Sequence, residues 1–321
     1  MPHYNDMLYH LGGLPVMAGI PFTMHSKYYF VDARYGSDSN HGRTVDKPLA
    51  TIIAAEDKCV GNQHDAIFLI GTGTAVAMTA ALTWDKSYTH LIGITAPTHV
   101  AQRARITNED TTYTGLSPLF NVTASGCIFK NFYCFSGLAD ADALINWQVS
   151  GGRNYFENIH FAGPGNTTCA IDGAAALRLV GSGGEHMFKH CTFGVDTVAA
   201  ATGVRSLAIY GGTPRNWFQD CNFISYAGAG GAMFVEWESL SAVDRYMLFD
   251  NCSFINTGAT TIDSAFVMPA SAPAHRRCFL KNCWGYGFTD WDASDRGYLY
   301  ISGGTQTSGG TTSLYQASVV A

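Results

Sequence analysis

Short runs of alternating apolar and polar residues fill the second half of the chain and return at a fixed distance. FENIHF stands at 156–161, FKHCTF at 188–193, FQDCNF at 218–223, FDNCSF at 249–254 and FLKNCW at 279–284. Aligned on the residue at the centre of each run, the series is Asn131, Asn158, His190, Asp220, Asn251 and Asn282, with steps of 27, 32, 30, 31 and 31 residues. Each unit also has an earlier apolar run: PLFNV (118–122), LINWQV (144–149), LRLV (177–180), LAIY (207–210), MFVEW (233–237), FVMP (266–269) and YLYIS (298–302). Gly- and Pro-bearing links such as GSGG (181–184) and GGTP (211–214) separate the runs and signal loops. The unit is therefore strand, turn, strand, turn and variable loop, with no 3.6-residue period inside it.

A period of about 30 with two strands per unit predicts an all-β solenoid, a parallel β-helix whose coils stack about 4.8 Å apart. In FQDCNF, strand alternation points Phe218 inward and Gln219 outward; Asp220 takes the bend, and Cys221 and Phe223 point inward again. A sharp bend between strands selects residues tolerant of left-handed φ, and Asn, Asp and His are the non-glycine types enriched there. Beside the bend only a small apolar side chain fits. Cys191, Cys221, Cys252 and Cys283 are thus expected as one internal column, with Phe193, Phe223 and Phe254 as another. The cysteines are read as core, not as redox or metal groups.

The front of the chain follows another pattern. YYFVDARYGSDSNHGRTVDKPLATIIAAEDKC (28–59) reads as a strand, a polar turn and a short helix opened near Lys47–Pro48, with Ile52, Ile53, Ala55 and Cys59 near helical spacing. The stretch 47–60 is expected to cap the open end of the solenoid, which would otherwise expose apolar side chains and strand edges. DAIFLIGTG (65–73) and HLIGITAP (90–97) supply early coils. Residues 1–27 and 303–321 lie outside the repeat. The first is apolar without a period, and it is read as an extended docking arm that contacts a partner through Tyr4, Leu8, Tyr9, Leu11, Leu14, Val16, Ile20 and Phe22. The second, rich in Gly, Ser and Thr, is expected to add a last coil or to exchange between protomers.

Composition narrows the function. Of 321 residues 47% are hydrophobic and only 14% charged, against about 25% in ordinary soluble domains. The remainder includes 35 Gly, suited to turns and flat β surfaces. The net charge is −6 and no Lys/Arg run occurs, so nucleic acid and anionic membranes are not expected partners. No stretch approaches 18 uninterrupted apolar residues, and the N-terminus lacks the basic flank of a signal peptide. Nine cysteines, four of them at matching repeat positions, fit a reduced protein assembled in a cytoplasm.

The series GSDSN…G…KPLATI, a strand ending in Gly, and then F-x-N-C-x-F coils resembles the pectin-lyase-like right-handed β-helix superfamily over residues 28–302. The opening MPHYNDMLYHLGGLPV, followed directly by the strand and the GSDSN turn, is similar to β-helix virion proteins of tailed bacteriophages. What that resemblance implies is a right-handed, single-stranded β-helix in a virion component, commonly homotrimeric, on the capsid or the tail. The superfamily also contains polysaccharide lyases and hydrolases. Their Asn-Thr-Asp, Asp-Asp and Gly-His-Gly motifs are missing here, and Asn256-Thr257-Gly258 lacks the acid.

Two acidic pairs remain as catalytic or Ca²⁺-binding candidates. Glu236 and Glu238 in FVEWES, and Asp290 and Asp292 in FTDWDASDRG with Asp295 and Arg296 nearby, each stand two apart and would share a strand face. Trp237 and Trp291 beside them would offer rings for sugar stacking if exposed. The plainer reading is that the acids solvate loop rims. His186 and His190 have a metal-like spacing but straddle a bend, so no metal or cofactor is expected. The expected function is a non-enzymatic virion protein of the capsid-decoration or head-fibre kind, bound to other virion proteins. The alternative is a tailspike that binds or depolymerises a host surface glycan.

Overall fold

The computed structural model describes residues 23–108, 111–269, 276–292 and 299–302, together with residue 21 and the paired segments His10–Leu11, Leu14–Pro15 and Tyr315–Gln316. It is a parallel β-solenoid of about seven turns. One side is a seven-stranded sheet, in order Leu82–Trp84, Phe120–Val122, Ile145–Val149, Ala175–Val180, Arg205–Tyr210, Met233–Trp237 and Phe266–Val267. The other side carries the bend-containing strands, from Tyr28–Val31 through Ile128–Ser136 and Asn216–Gln219 to Leu299–Ser302. YLYIS departs from its expected place: Leu299–Ser302 pairs with Arg277–Lys281 and so lies in the bend-bearing sheet. Its in-out alternation suits either sheet, and only the pairing partner decides.

The bend chemistry is visible residue by residue. Asn131, Asn158, His190, Asp220, Asn251 and Asn282 have φ of 61°, 50°, 53°, 52°, 56° and 53°. Their side chains link coils: Asn158 Nδ2 donates to Asn131 Oδ1 at 2.8 Å, and Asn251 Nδ2 donates to Asp220 Oδ1 at 2.7 Å. A second column at positive φ, Arg153, Glu185, Arg215 and Arg245, turns the chain into these strands. Charged side chains there give no compositional signal of a bend. In the links, Gly183 packs directly on the Gly151 carbonyl of the coil before it, where a Cβ would collide with backbone.

Inside, two phenylalanine stacks run along the axis. Phe129, Phe156, Phe188, Phe218 and Phe249 are spaced 5.2, 4.6, 4.7 and 4.7 Å between centroids. Phe161, Phe193, Phe223 and Phe254 follow at 5.0, 4.7 and 4.7 Å. Cys191, Cys221, Cys252 and Cys283 are all buried, and each thiol donates to a carbonyl of the preceding coil, as Cys252 does to Phe218 at 3.4 Å. Burial pushes the Cys134 thiol up to about 12 and Cys278 well above the ordinary value, which keeps them neutral. All nine cysteines are free and buried. Melting is therefore expected to be the same with and without reductant. Cys252→Ser should cost about 1–2 kcal/mol and leave the oligomeric state unchanged; a transition that moves on adding reductant would contradict this.

At the front, the helix Ile52–Lys58 begins later than Lys47–Pro48. Asp38 of the GSDSN turn fixes its start, accepting from the Ala50 and Thr51 amides at 2.9 and 3.0 Å, while Thr51 Oγ1 accepts from Ala54 N. Ile52, Ala55 and Cys59 join Leu49 in the core beneath the first strands. Tyr4, Leu8, Tyr9, Val16, Ile20 and Phe22 lie outside the described residues. Leu11 and Leu14 face each other across a two-residue antiparallel ladder, and Tyr315–Gln316 pairs antiparallel with Trp284 and Gly285.

Candidate functional site

On the outer face of the seven-stranded sheet, strand pairing brings residues distant in sequence into rows. One row runs Asn121, Gln148, Arg178, Ala208, Glu236, Val267, and a neighbouring one pairs Val180 with Tyr210. Because Val235 and Trp237 turn into the core, Glu236 and Glu238 both face outward. They sit in a groove of about 640 Å³ whose lining includes Gln148, Arg178, Arg205, Tyr210 and Leu144.

Two arginines hold the two carboxylates. Arg178 Nη2 donates to Glu238 Oε2 at 2.7 Å across 60 residues, two coils away. It can span that gap because the residue between the coils in its row is Ala208, whose methyl lies fully buried beneath the charged layer. Arg205 Nη2 touches Glu236 Oε2 and lies 3.4 Å from Glu238 Oε1, while its Nη1 donates to the Gly203 carbonyl at 2.9 Å. The Arg178 guanidinium also lies 5.1 Å over the ring of Tyr210, which is 49% exposed. Burial raises the carboxyl pKa of Glu236, with Glu238 and Asp172 adding to the shift and Arg205 and Arg178 opposing it. The result is a charge-balanced platform. Burial works against the charge on Glu236, while Glu238 accepts a hydrogen bond from Arg178 and lies within ion-pair reach of Arg205.

The other sequence candidates do not join it. Asp290 pairs in register with Ser264 in a separate two-stranded sheet, and neither it nor Asp292 lines the groove, so the two acidic pairs do not meet across coils. Asp295 and Arg296 lie outside the described residues. Trp237 and Trp291 are 3% and 1% exposed, which corrects the expectation that they offer rings to a sugar. His186 is buried and His190 sits on the exposed bend. Among the described residues no group of three or more His, Cys, Asp and Glu stands ready for a metal ion, and no helix is long and apolar enough to cross a membrane.

No family model and no curated protein matches the sequence. Among solved structures the chain is similar to a rhamnogalacturonan lyase, at 14% identity over 80% of this chain and 73% of that one, with a TM-score of 0.43. It is also similar to a pectate lyase, at 11% identity over 85% and 82% with a TM-score of 0.40, and to a pectin methylesterase from Aspergillus niger, at 15% over 89% and 92% with a TM-score of 0.38.

Proposed function

We propose that the chain binds an extended polysaccharide along the groove of the seven-stranded sheet. The observation that carries this reading is the four-charge platform of Arg178, Arg205, Glu236 and Glu238, held in place before any ligand arrives. Its donors and acceptors are fixed by one another, so little side-chain entropy is lost on binding. Gln148 and the half-exposed Tyr210 extend the hydrogen-bonding surface across three coils. Hydroxyl-rich chains suit such a surface, because each sugar can exchange water for several directed hydrogen bonds.

Cleavage is a second reading with one observation in its favour. Glu236 and Glu238 both reach one nitrogen of Arg205, and burial raises the carboxyl pKa of Glu236, the direction that a general acid in glycosidic hydrolysis requires. The setting we propose is a virion surface, on the phage likeness of the first 55 residues. The capsid-decoration reading rests on the N-terminal arm and draws no support from the groove.

The test is a panel of soluble polysaccharides read by affinity electrophoresis and by release of reducing ends. Arg178→Ala is expected to weaken retention about tenfold or more, on the order of 1.4 kcal/mol, with a smaller effect on melting because the side chain is partly exposed. Glu236→Gln should abolish any release of reducing ends while retaining binding. Retention identical in wild type and Arg178→Ala would sink the groove reading.

A further inference from the structure

A second face of the solenoid has a pattern the groove does not use. On the outer surface of the bend-bearing sheet, strand register lines up Tyr155, Met187, Trp217, Leu248, Phe279 and Tyr300 in one continuous row along the axis. Trp217, Phe279 and Tyr300 are 38%, 39% and 44% exposed. Single exposed apolar residues need no explanation, but an unbroken outward row over six coils does. Tyr155, Trp217 and Phe279 stand on alternate coils with aliphatic Met187 and Leu248 between them, and Tyr300 follows Phe279 on the next coil. Rings two coils apart stand about 10 Å from each other.

The flanks of this row are basic, although the chain carries a net charge of −6. Two residues after the row come Lys189 and Lys281 with the acids Glu157 and Asp250, and Lys130 pairs in register with Glu157 on the coil before. Two residues before it come Arg153, Arg215 and Arg277 with the acid Glu185. That is six bases against three acids. All three acids are held in ion pairs, Glu157 by Lys130, Asp250 by Lys281, and Glu185 by both Arg153 and Arg215. Lys189 and Arg277 face the row with no carboxylate partner among the described residues, and Arg277 lies 5.5 Å over the Tyr300 ring.

We infer that this aromatic row is a binding face for an acidic, extended 1,4-linked polysaccharide, separate from the groove. The C–H face of a pyranose ring packs on an aromatic face, whose π cloud is negative and whose ligand edge is positive. In an extended 1,4-linked chain alternate rings turn the same face to one side, so platforms on every second coil meet alternate sugars. Carboxylates or sulfates projecting sideways from such a chain meet the flanking lysines and arginines. Single-stranded nucleic acid fits less well, since stacked bases follow one another at about 3.4 Å and the platforms are about three times farther apart.

The test uses the full chain with polymannuronate, a neutral 1,4-linked glucan and an oligo-dT as probes, read by affinity electrophoresis and tryptophan fluorescence at two salt concentrations. Polymannuronate retention is expected at low salt. It should weaken at least tenfold in Trp217→Ala and in Phe279→Ala, and Lys189→Glu should weaken it and flatten its salt dependence. Because Trp217 and Phe279 are partly exposed, circular dichroism should show both variants folded. No retention, or retention untouched by Trp217→Ala, overturns the inference. So does oligo-dT binding as tight as polymannuronate. Retention lost in Arg178→Ala but kept in Trp217→Ala would give the acidic chain to the groove, sinking this face while sparing the proposed function. A self-associated species in light scattering that Trp217→Ala dissociates would give the row to a second copy of the chain instead.

Discussion

Phe218→Ala is expected to cost roughly 3–5 kcal/mol, measured as the loss in unfolding free energy in denaturant. Phe218 is fully buried and is clamped between Phe188 and Phe249, each 4.7 Å away and nearly parallel, with Phe193 and Phe223 against it at 5.8 and 5.9 Å. Truncation leaves a ring-sized void that neighbours stacked from both sides cannot fill without leaving their own partners. In a solenoid each coil is stabilised mainly by the coils next to it. A gap in the middle of the stack therefore weakens the coupling between the front and rear halves, and the transition should broaden as well as shift. The adjacent Trp217→Ala, at an outward position, should cost about 1 kcal/mol or less. A Phe218→Ala loss below about 1 kcal/mol, or equal losses for the two variants, would show that the alternation of this strand is misassigned.

That contrast between neighbours shows what could be read from the chain. The bend column was legible because left-handed φ favours Asn, Asp and His among non-glycine residues, and the interior was legible because a two-residue period recurred at each bend. The groove was half legible. Glu236 and Glu238 stood out as a pair, but alternation that turns both outward must turn Trp237 inward, so exposed acids and an exposed tryptophan were incompatible from the start. The same geometry buries Trp291 between Asp290 and Asp292. Arg178 and Arg205 were missed. Arg178 occupies an outward position within LRLV, and Arg205 precedes the run LAIY, inside the strand Arg205–Tyr210. What joins them to the glutamates is inter-coil register, and loops of varying length between coils hide that register from the sequence. The second bend column was invisible for a different reason: Arg153, Glu185, Arg215 and Arg245 adopt positive φ although their residue types do not favour it, and ion pairs between successive coils help hold three of them there.

Acidification from pH 7 to pH 5 is expected to destabilise the solenoid by several kcal/mol. Three buried histidines carry the effect. His90 accepts the Ile128 amide at Nδ1 at 3.1 Å, His160 accepts that of Ala101 at 3.2 Å, and His186 accepts that of Asn154 at 3.2 Å. Protonation would turn each acceptor into a donor facing another N–H inside a buried site. Burial accordingly pushes His90 down to about 3, with His64 stacked beside it adding to the shift, and pushes His160 and His186 down to about 4. Asp196 and the Gly194 carbonyl oppose the shift at His160 without reversing it. The unfolded chain takes up these protons below about pH 6.5, where the folded chain does not. Stability from these groups is thus fully present above about pH 6.5 and falls as pH drops toward the folded values, by about 2 kcal/mol per histidine at pH 5. Glu56 and Glu236, whose carboxyls burial raises, work in the opposite direction and offset part of the loss. A drop in Tm of about 10 °C between pH 7 and pH 5 should follow. His186→Asn separates this from general acid lability. Asn154 and Asn216 do the same work on the flanking coils, their Oδ1 atoms accepting the Cys127 and His186 amides at 2.8 and 3.1 Å. The variant therefore keeps an acceptor at that place while removing the titration, and the pH 7 to pH 5 loss should shrink by about 2 kcal/mol. A Tm that stays flat from pH 7 to pH 5 in the native protein, or a loss unchanged by His186→Asn, would refute the assignment of neutral, accepting imidazoles to these coils.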